Sequence, residues 1–361
     1  MSDDPRPPIP DRPELLDAEW LTGVLRSAGH DVQVTALERE LVGTGQMGVS
    51  VRLRPALDGT GEDLAALPSS FVAKLPGADE ARRSMVAGIH RTEVEFYRSL
   101  APTLAVRTPH LHHSQIADDA TTFVLLLEDL APRVQGDQIQ GCSVAEAELA
   151  VTNLAGLHGP RWCDPTLAQM DWLSAMDDEA ADMIASITAD ATQTFLDRYG
   201  NRLQPEDQEL LAAIPPLLGR WITGRSERFA PLHGDYRLDN LLFGDDAADP
   251  VATVDWQTVT LGLPARDLAY FLSTGLSPED RRSHERELVA QYHGALVDLG
   301  VTGHSLEECF DDYRFAMLQG PLITIVGAAY GEPTERGDEM FLAMAARSAQ
   351  AIRDLGTLGM I

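Results

Sequence analysis

The strongest chemical signal in this chain is a group of polar residues set among apolar ones. In PLHGDYRLDNLLF, residues 231–243, His233, Asp235 and Asn240 stand between apolar neighbours, and fifteen residues beyond Asn240 the β-branched run VATV leads into Asp255. Alone, an Asp or Asn in such a place is a cap or turn former, because its side chain bonds nearby backbone amides. Together, two carboxylates and an amide are hard oxygen donors, suited to accepting a proton or to holding Mg²⁺, which needs few protein ligands. Upstream, Gly43, Gly45 and Gly48 have the spacing GxGxxG in LVGTGQMGVSVRL, and Lys74 in FVAKL puts a cation in a strand otherwise fit for burial. A buried ammonium needs a counter-charge. The segment MVAGIHRTEVEFYRSL offers one: Val86, Ile89, Phe96 and Leu100 mark an apolar helical face on which Glu93 also falls, whereas Glu95 points elsewhere. The plainer account of such a pair is a salt bridge at the rim of the fold.

The elements that must position these residues follow from periodicity. A dinucleotide-binding reading of the glycines requires a helix directly after them and an acidic residue about 20 positions on, near Glu62. Instead Val49, Val51 and Leu53 alternate with Ser50, Arg52 and Arg54, so the glycines fall in a turn between two strands, where a plain hairpin is the alternative. Residues 13–29 carry apolar side chains at 15, 16, 20, 21, 24 and 25, which predicts one helix with Gly29 as its C-cap. VQVTALERELV, MGVSVRLRPAL, SSFVAKLP and TTFVLLLEDL read as strands, interrupted by one helical segment over about 80–100. From about 143 the pattern is helical, apart from short strands near 241 and 251. This is an α+β lobe joined to an α lobe, divided as 1–130 and 131–361, with LEDLAPRVQGDQ, 127–138, as the connector.

Glycine loop, strand lysine, helix glutamate, Asp-x-x-x-x-Asn and a later Asp occur in the order that protein kinases use, where the catalytic loop is HRDxxxxN. Gly234 stands in place of that Arg, and DWQ in place of DFG. After Asp255, TVTLGLPARDLAYFL enters a helical pattern with no room for a long activation segment, so a peptide substrate is not expected. HGDxxxxN followed by Gly262, Pro264, Asp267 and Leu268 as Gly-x-Pro-x-x-Asp-Leu resembles the aminoglycoside phosphotransferase and choline kinase superfamily. The glycine loop, EVEFY, LLLEDL and LAGLHGPRW look closest to its ecdysteroid-kinase-like branch, and the likeness runs from the helix with Trp20 and Leu21 to about residue 350. The resemblance implies a protein-kinase-like bilobal α+β fold, with a nucleotide-binding first lobe and a catalytic, substrate-binding second lobe. It implies that Asp235 is the catalytic base and that Asn240 and Asp255 bind Mg²⁺. Lys74, paired to Glu93, would hold the phosphates of ATP, with GTP open as a donor, beneath the loop of Gly43, Gly45 and Gly48. Backbone groups of Glu128 and Leu130 would face adenine, and His233 and Asp267 would brace the catalytic loop. The implied activity is phosphoryl transfer to a hydroxyl of a small molecule. An aminoglycoside O-phosphotransferase conferring resistance, and a nucleotide-binding module without catalysis, stay open beside it.

Composition narrows the partners. Lys plus Arg is 28 against 56 for Asp plus Glu, a formal net charge of -28 that repels nucleic acid and anionic lipid. The length of 361 residues suits two lobes, since single cores stop growing at roughly 250 to 300 residues. Cys142, Cys163 and Cys309 form no CxxC pair, which suggests a reducing compartment. The N-terminal segment is acidic and Pro-rich, unlike a signal peptide, and the longest apolar run, GPLITIVGAAY, falls short of the roughly 20 residues a membrane span needs. The expectation is a cytoplasmic protein without membrane or nucleic-acid partners. His110, His112 and His113 lack the further ligands of a zinc site, and His158 reads as a core histidine bonded to backbone.

Overall fold

A computed structural model describes residues 7–43 and 48–361; Gly45 lies outside the described residues. The chain divides into two compact units, Met1–Pro102 with Pro109–Ala131, and Thr103–Thr108 with Pro132–Ile361. Residues 103–108 belong to the second unit because their backbone is bonded there: Ala105 N–H donates to Gly156 O at 2.9 Å and Arg107 N–H to Asn153 Oδ1 at 3.0 Å.

The first unit is built on an antiparallel sheet of β1 (Val32–Val42), β2 (Gly48–Gly59), β3 (Phe71–Pro76), β4 (Leu111–Ile116) and β5 (Phe123–Glu128), in the order β1-β2-β3-β5-β4. Helix α1 (Ala18–Ser27) buries Trp20, Leu21, Val24 and Leu25 against Val51, Leu53, Phe71, Ala73, Leu75, Val124 and Leu126. Because successive strand side chains point to opposite faces, this packing leaves Val72 and Lys74 of β3 on the other face. The helix expected across 13–29 is in fact a 3₁₀ turn, Pro13–Leu15, followed by α1. Asp17 sets the break, since its side chain accepts the Trp20 N–H at 2.8 Å and caps the new helix. Gly29, at φ +96°, follows the C-cap Ala28 in the left-handed conformation that ends helices. After α2 (Gly61–Ala66), the segment expected as one helix over 80–100 is α3 (Glu80–Met85) and α4 (Ala87–Glu95), divided at Val86 and continued by a π-helical turn, Phe96–Leu100.

The second unit is mostly helical. Two short sheets hold its loops: β6 (Val134–Gln135), β8 (Leu241–Phe243) and β9 (Val251–Thr253) form one, and β7 (Ala230–Leu232) pairs with β10 (Thr260–Gly262) in the other. Around them lie α5 (Val144–His158), α6 (Asp178–Tyr199), α7 (Pro205–Ala213), α8 (Pro215–Ile222), α9 (Ala265–Gly275), α10 (Pro278–Asp298), α11 (Leu306–Phe315), α12 (Gln319–Tyr330) and α13 (Glu335–Leu355). Every residue of α9 is buried, as expected of a helix enclosed on all sides; α5, α10, α11, α12 and α13 all contact it. Polar groups on α9 therefore face protein, and each needs a partner there.

Asp17→Ala should destabilise the chain by about 1 kcal/mol through loss of the α1 cap, read as a lower urea midpoint at unchanged slope. An unaltered midpoint would mean that packing of Trp20 and Leu21, rather than the cap, sets the start of α1.

Candidate functional site

In the first unit, Lys74 Nζ meets Glu93 Oε1 at 2.7 Å, with the two side chains 15% and 3% exposed. Strand alternation turns Lys74 away from α1, and Glu93 reaches it from the buried face of α4. The composition sharpens this pairing, because Lys74 is the single lysine of the sequence and all other cations among its 28 Lys and Arg are arginines. An ammonium is a compact point charge that arginine does not replace. Two of the glycines stand on either side of residues 44–47, Gly43 just after β1 and Gly48 at the start of β2, and Val42 pairs with Ser50. Gly43 has φ +77°, and a Cβ on Gly48 would lie 2.8 Å from the carbonyl oxygen of Leu75 on β3. Glycine is required at the first by conformation and at the second by close approach.

Glu128 ends β5, with its N–H donating to His110 O at 2.8 Å and its carboxylate accepting the His110 N–H at 3.0 Å; Leu130 is buried. Between them Asp129 accepts Arg52 Nε and Nη2 at 2.6 and 3.1 Å and Ser70 Oγ at 2.8 Å, contacts that the sequence reading did not pick out. Burial opposes charge on Asp129, yet Arg52 and Ser70 prevail and hold its carboxyl below the usual range. The backbone on either side of Asp129 is thus fixed. His110 and His112 stack edge to face, 4.8 Å between ring centroids, and burial pushes His112 down to about 4.

In the second unit, β7 delivers the chain to His233, and it reverses at Gly234 with φ +79°. A Cβ on Gly234 would lie 2.7 Å from Thr258 O, so no arginine fits where the protein-kinase HRD motif carries one. The reversal is held by Asp267 on α9, which accepts the N–H groups of His233 and Gly234 at 2.6 and 3.0 Å. His158 completes this group with Nε2 3.4 Å from Asp267 and Nδ1 2.7 Å from the Tyr292 hydroxyl. It is a core histidine, but its partners are side chains rather than backbone, supplied by α9 and α10. His233 Nδ1 accepts the Asp235 N–H at 3.2 Å, which leaves its Nε2–H to donate to Val254 O at 3.0 Å. The β8–β9 register, Leu241 opposite Thr253, brings Asn240 to Val254, whose N–H donates to Asn240 O at 3.0 Å. Asp235, Asn240 and the residue before Asp255 are therefore joined by direct hydrogen bonds. Asp255 itself has φ +68°, a left-handed conformation that Asp tolerates better than most residues.

The Asp235 carboxylate is saturated on one oxygen. Oδ2 accepts Asn240 Nδ2 at 2.9 Å and Arg237 Nε at 3.0 Å, while Oδ1 accepts the Tyr270 hydroxyl at 2.9 Å. Arg237 continues to Asp239 at 3.0 Å, and Arg336 grips Asp239 through both terminal nitrogens at 3.0 and 2.9 Å. Burial works against charge on Arg237, but Asp235 overrides it and raises the guanidinium above its ordinary value. Burial, reinforced by the Asp235 charge, raises the Tyr270 hydroxyl well above its own. Arg237 and Tyr270 went unread in the sequence, although Arg237 sits inside HGDYRLDN and Tyr270 lies one helical turn past Asp267. Asn240 spends its amide nitrogen on Asp235, so its oxygen is the atom it offers a cation. With the Asp255 carboxylate it fits Mg²⁺, which binds through one or two protein oxygens completed by phosphates.

The ecdysteroid kinase-like family model matches residues 47–301. Among curated proteins, acyl-CoA dehydrogenase family member 10 from Mus musculus is 48% identical over 46 residues, a match that spans 13% of this chain and only 4% of that much longer protein. Among solved structures, choline kinase from Cryptosporidium parvum superposes with a TM-score of 0.56 at 11% identity, over 90% of this chain and 91% of that one. The GDP complex of aminoglycoside 2′-phosphotransferase-IIIa superposes with a TM-score of 0.54 at 14% identity, over 92% and 98%. The fold is kinase-like, an α+β first unit with a mostly helical second.

Asp267→Ala should destabilise the protein by about 3 kcal/mol, because it leaves two buried backbone N–H groups without an acceptor. Chemical unfolding checks this; a loss below about 1 kcal/mol would mean that another group takes over the His233–Gly234 reversal.

Proposed function

This chain belongs to the ecdysteroid kinase-like family, and from that premise we propose that it is a Mg²⁺- and ATP-dependent phosphotransferase acting on a hydroxyl of a small molecule. One observation carries the reading: the sole lysine of the chain is spent on a buried pair with Glu93 in a β-strand, where a phosphate-binding kinase needs it. In this reading Lys74 contacts the nucleotide phosphates, and Asn240 and Asp255 hold the metal. Bound, the metal and nucleotide supply charge neutralisation and the phosphoryl group. Asp235 orients the acceptor hydroxyl and takes its proton, while His233, Asp267 and Asn240 keep the carboxylate in place. Most of the acceleration then comes from positioning and electrostatics.

Residues 256–264 alone separate Asp255 from α9, which favours a small acceptor over a peptide. The GDP complex of the aminoglycoside phosphotransferase relative makes GTP the donor to try beside ATP. A cytoplasmic location fits the free Cys142, Cys163 and Cys309. Among the described residues no helix is long and apolar enough to cross a membrane.

Mg²⁺-dependent ADP release is the direct test, run with ATP and a panel of sterols, amino alcohols, sugars and aminoglycosides. Asp235→Ala should lower turnover about 10²- to 10⁴-fold, the range of a general base, with the unfolding midpoint retained; Asp255→Ala should abolish metal-dependent turnover. Phosphoryl transfer undiminished in either variant overturns the assignment. An amine-directed acyl phosphate of ATP should modify Lys74, with excess ATP protecting it, as read by peptide mapping. Protection without turnover on any acceptor would favour the nucleotide-binding module.

A further inference from the structure

The lone pairs of Asp235 identify one atom that the proposed activity alone does not. A carboxylate offers about four lone-pair positions, two on each oxygen. Oδ2 uses both, on Asn240 Nδ2 and on Arg237 Nε, and the Arg237 contact is an ion pair. Oδ1 accepts the Tyr270 hydroxyl at 2.9 Å. The Tyr270 ring is fully buried on α9 and packs with Met340 and Met344. Tyr270 is also three residues beyond Asp267, on the same side of the helix. One rigid, buried helix thus holds the backbone of the catalytic turn through Asp267 and the carboxylate of that turn through Tyr270.

We propose that Tyr270 is a positioning residue which orients Asp235 so that the second lone pair of Oδ1 is the one presented to the acceptor hydroxyl. The inference rests on the reading of Asp235 as the base. In the step, the acceptor O–H bond breaks, the proton goes to Oδ1, and the electron pair left on the acceptor oxygen forms the new bond to phosphorus as the nucleoside diphosphate oxygen departs. Oδ2 is unsuited to the task because both its positions are filled and Arg237 neutralises it. Tyr270 does not compete as a base, since burial and the neighbouring carboxylate keep its hydroxyl protonated.

Tyr270→Phe keeps the ring among Met340 and Met344 and removes only the donor. Three measurements are made on the full chain: kcat and KM for an acceptor found in the panel above, the Kd for Mg²⁺-ATP by calorimetry, and the urea midpoint. The expected result is a fall in kcat of about tenfold to hundredfold, the penalty for a misplaced reacting group, with the nucleotide Kd within about twofold of native. In an Asp235→Asn background the same substitution should remove no further activity, because Tyr270 acts through that carboxylate; a merely structural tyrosine would add its loss to that of Asp235→Asn. Unchanged kcat in Tyr270→Phe, a parallel loss of nucleotide affinity, or additive losses in the double variant each overturn the inference while leaving the kinase reading standing. If Tyr270→Phe lowers the midpoint enough to cloud kcat, Tyr270→Phe is compared with the double variant, since both carry the same packing defect; Asp235→Asn should then cost less activity than it does in the native protein. A native protein that transfers no phosphate to any acceptor overturns both.

Discussion

The carboxylate of Asp267 is the constraint on which the second unit depends. It is fully buried, and a buried anion persists only when hydrogen-bonded or paired. Here its donors are the backbone N–H groups of His233 and Gly234, with His158 beside them. Those two amides belong to a left-handed reversal that has no place in a regular strand, so neither the turn nor the anion is stable without the other. The consequence reaches Asp235 one residue later, whose N–H is taken by His233 and whose side chain is thereby set against Asn240 and Tyr270. Because Asp267 stands on a helix buried on all sides, the turn that carries Asp235 inherits the rigidity of the core rather than that of a surface loop.

The first unit solves a related problem by alternation. Phe71, Ala73 and Leu75 commit one face of β3 to the core with α1, which obliges Lys74 to the other. A lone ammonium there is costly, and Glu93 on α4 compensates it. The pair's value as structure is small or negative relative to well-packed apolar residues, so its presence points to use. That the chain places arginine at every other cationic position strengthens the point: an ion pair wanted only for stability is one that arginine makes better, through its planar bidentate fork.

The sequence made these positions legible where the information is local. Strand alternation located Lys74, helical periodicity located Glu93, and the spacing within HGDYRLDN and VATVDWQ located Asp235, Asn240 and Asp255. What was not legible depends on contacts far apart in the chain. The replacement of arginine by Gly234 is explained by the carbonyl of Thr258, and the partners of His158 come from α9 and α10, over 100 residues on. Arg237 and Tyr270 are ordinary residues until the fold sets them on Asp235. The helices near 13–29 and 80–100 were misjudged in extent because apolar periodicity continues through breaks that a cap at Asp17 and the backbone of Val86 impose. The solitary lysine was open to simple counting, a signal that lies in composition rather than in any motif.

The strongly acidic composition does not extend into the loop around Asp235. Asp235, Arg237, Asp239 and Arg336 form a chain of alternating charge, each joined to the next, whose sum is zero. Asp239 is held below the usual carboxylate range against its burial by Arg336 and Arg237, so it remains an anion and keeps Arg237 in place. Arg237 in turn neutralises one oxygen of Asp235. The charges nearest Asp235 are thus balanced ones, and they act on it more strongly than distant surface charges, whose effect falls with distance and is screened by salt. The net charge of -28 bears on what approaches the surface, while the side chain of Asp235 is held by three donors within 3.0 Å of it.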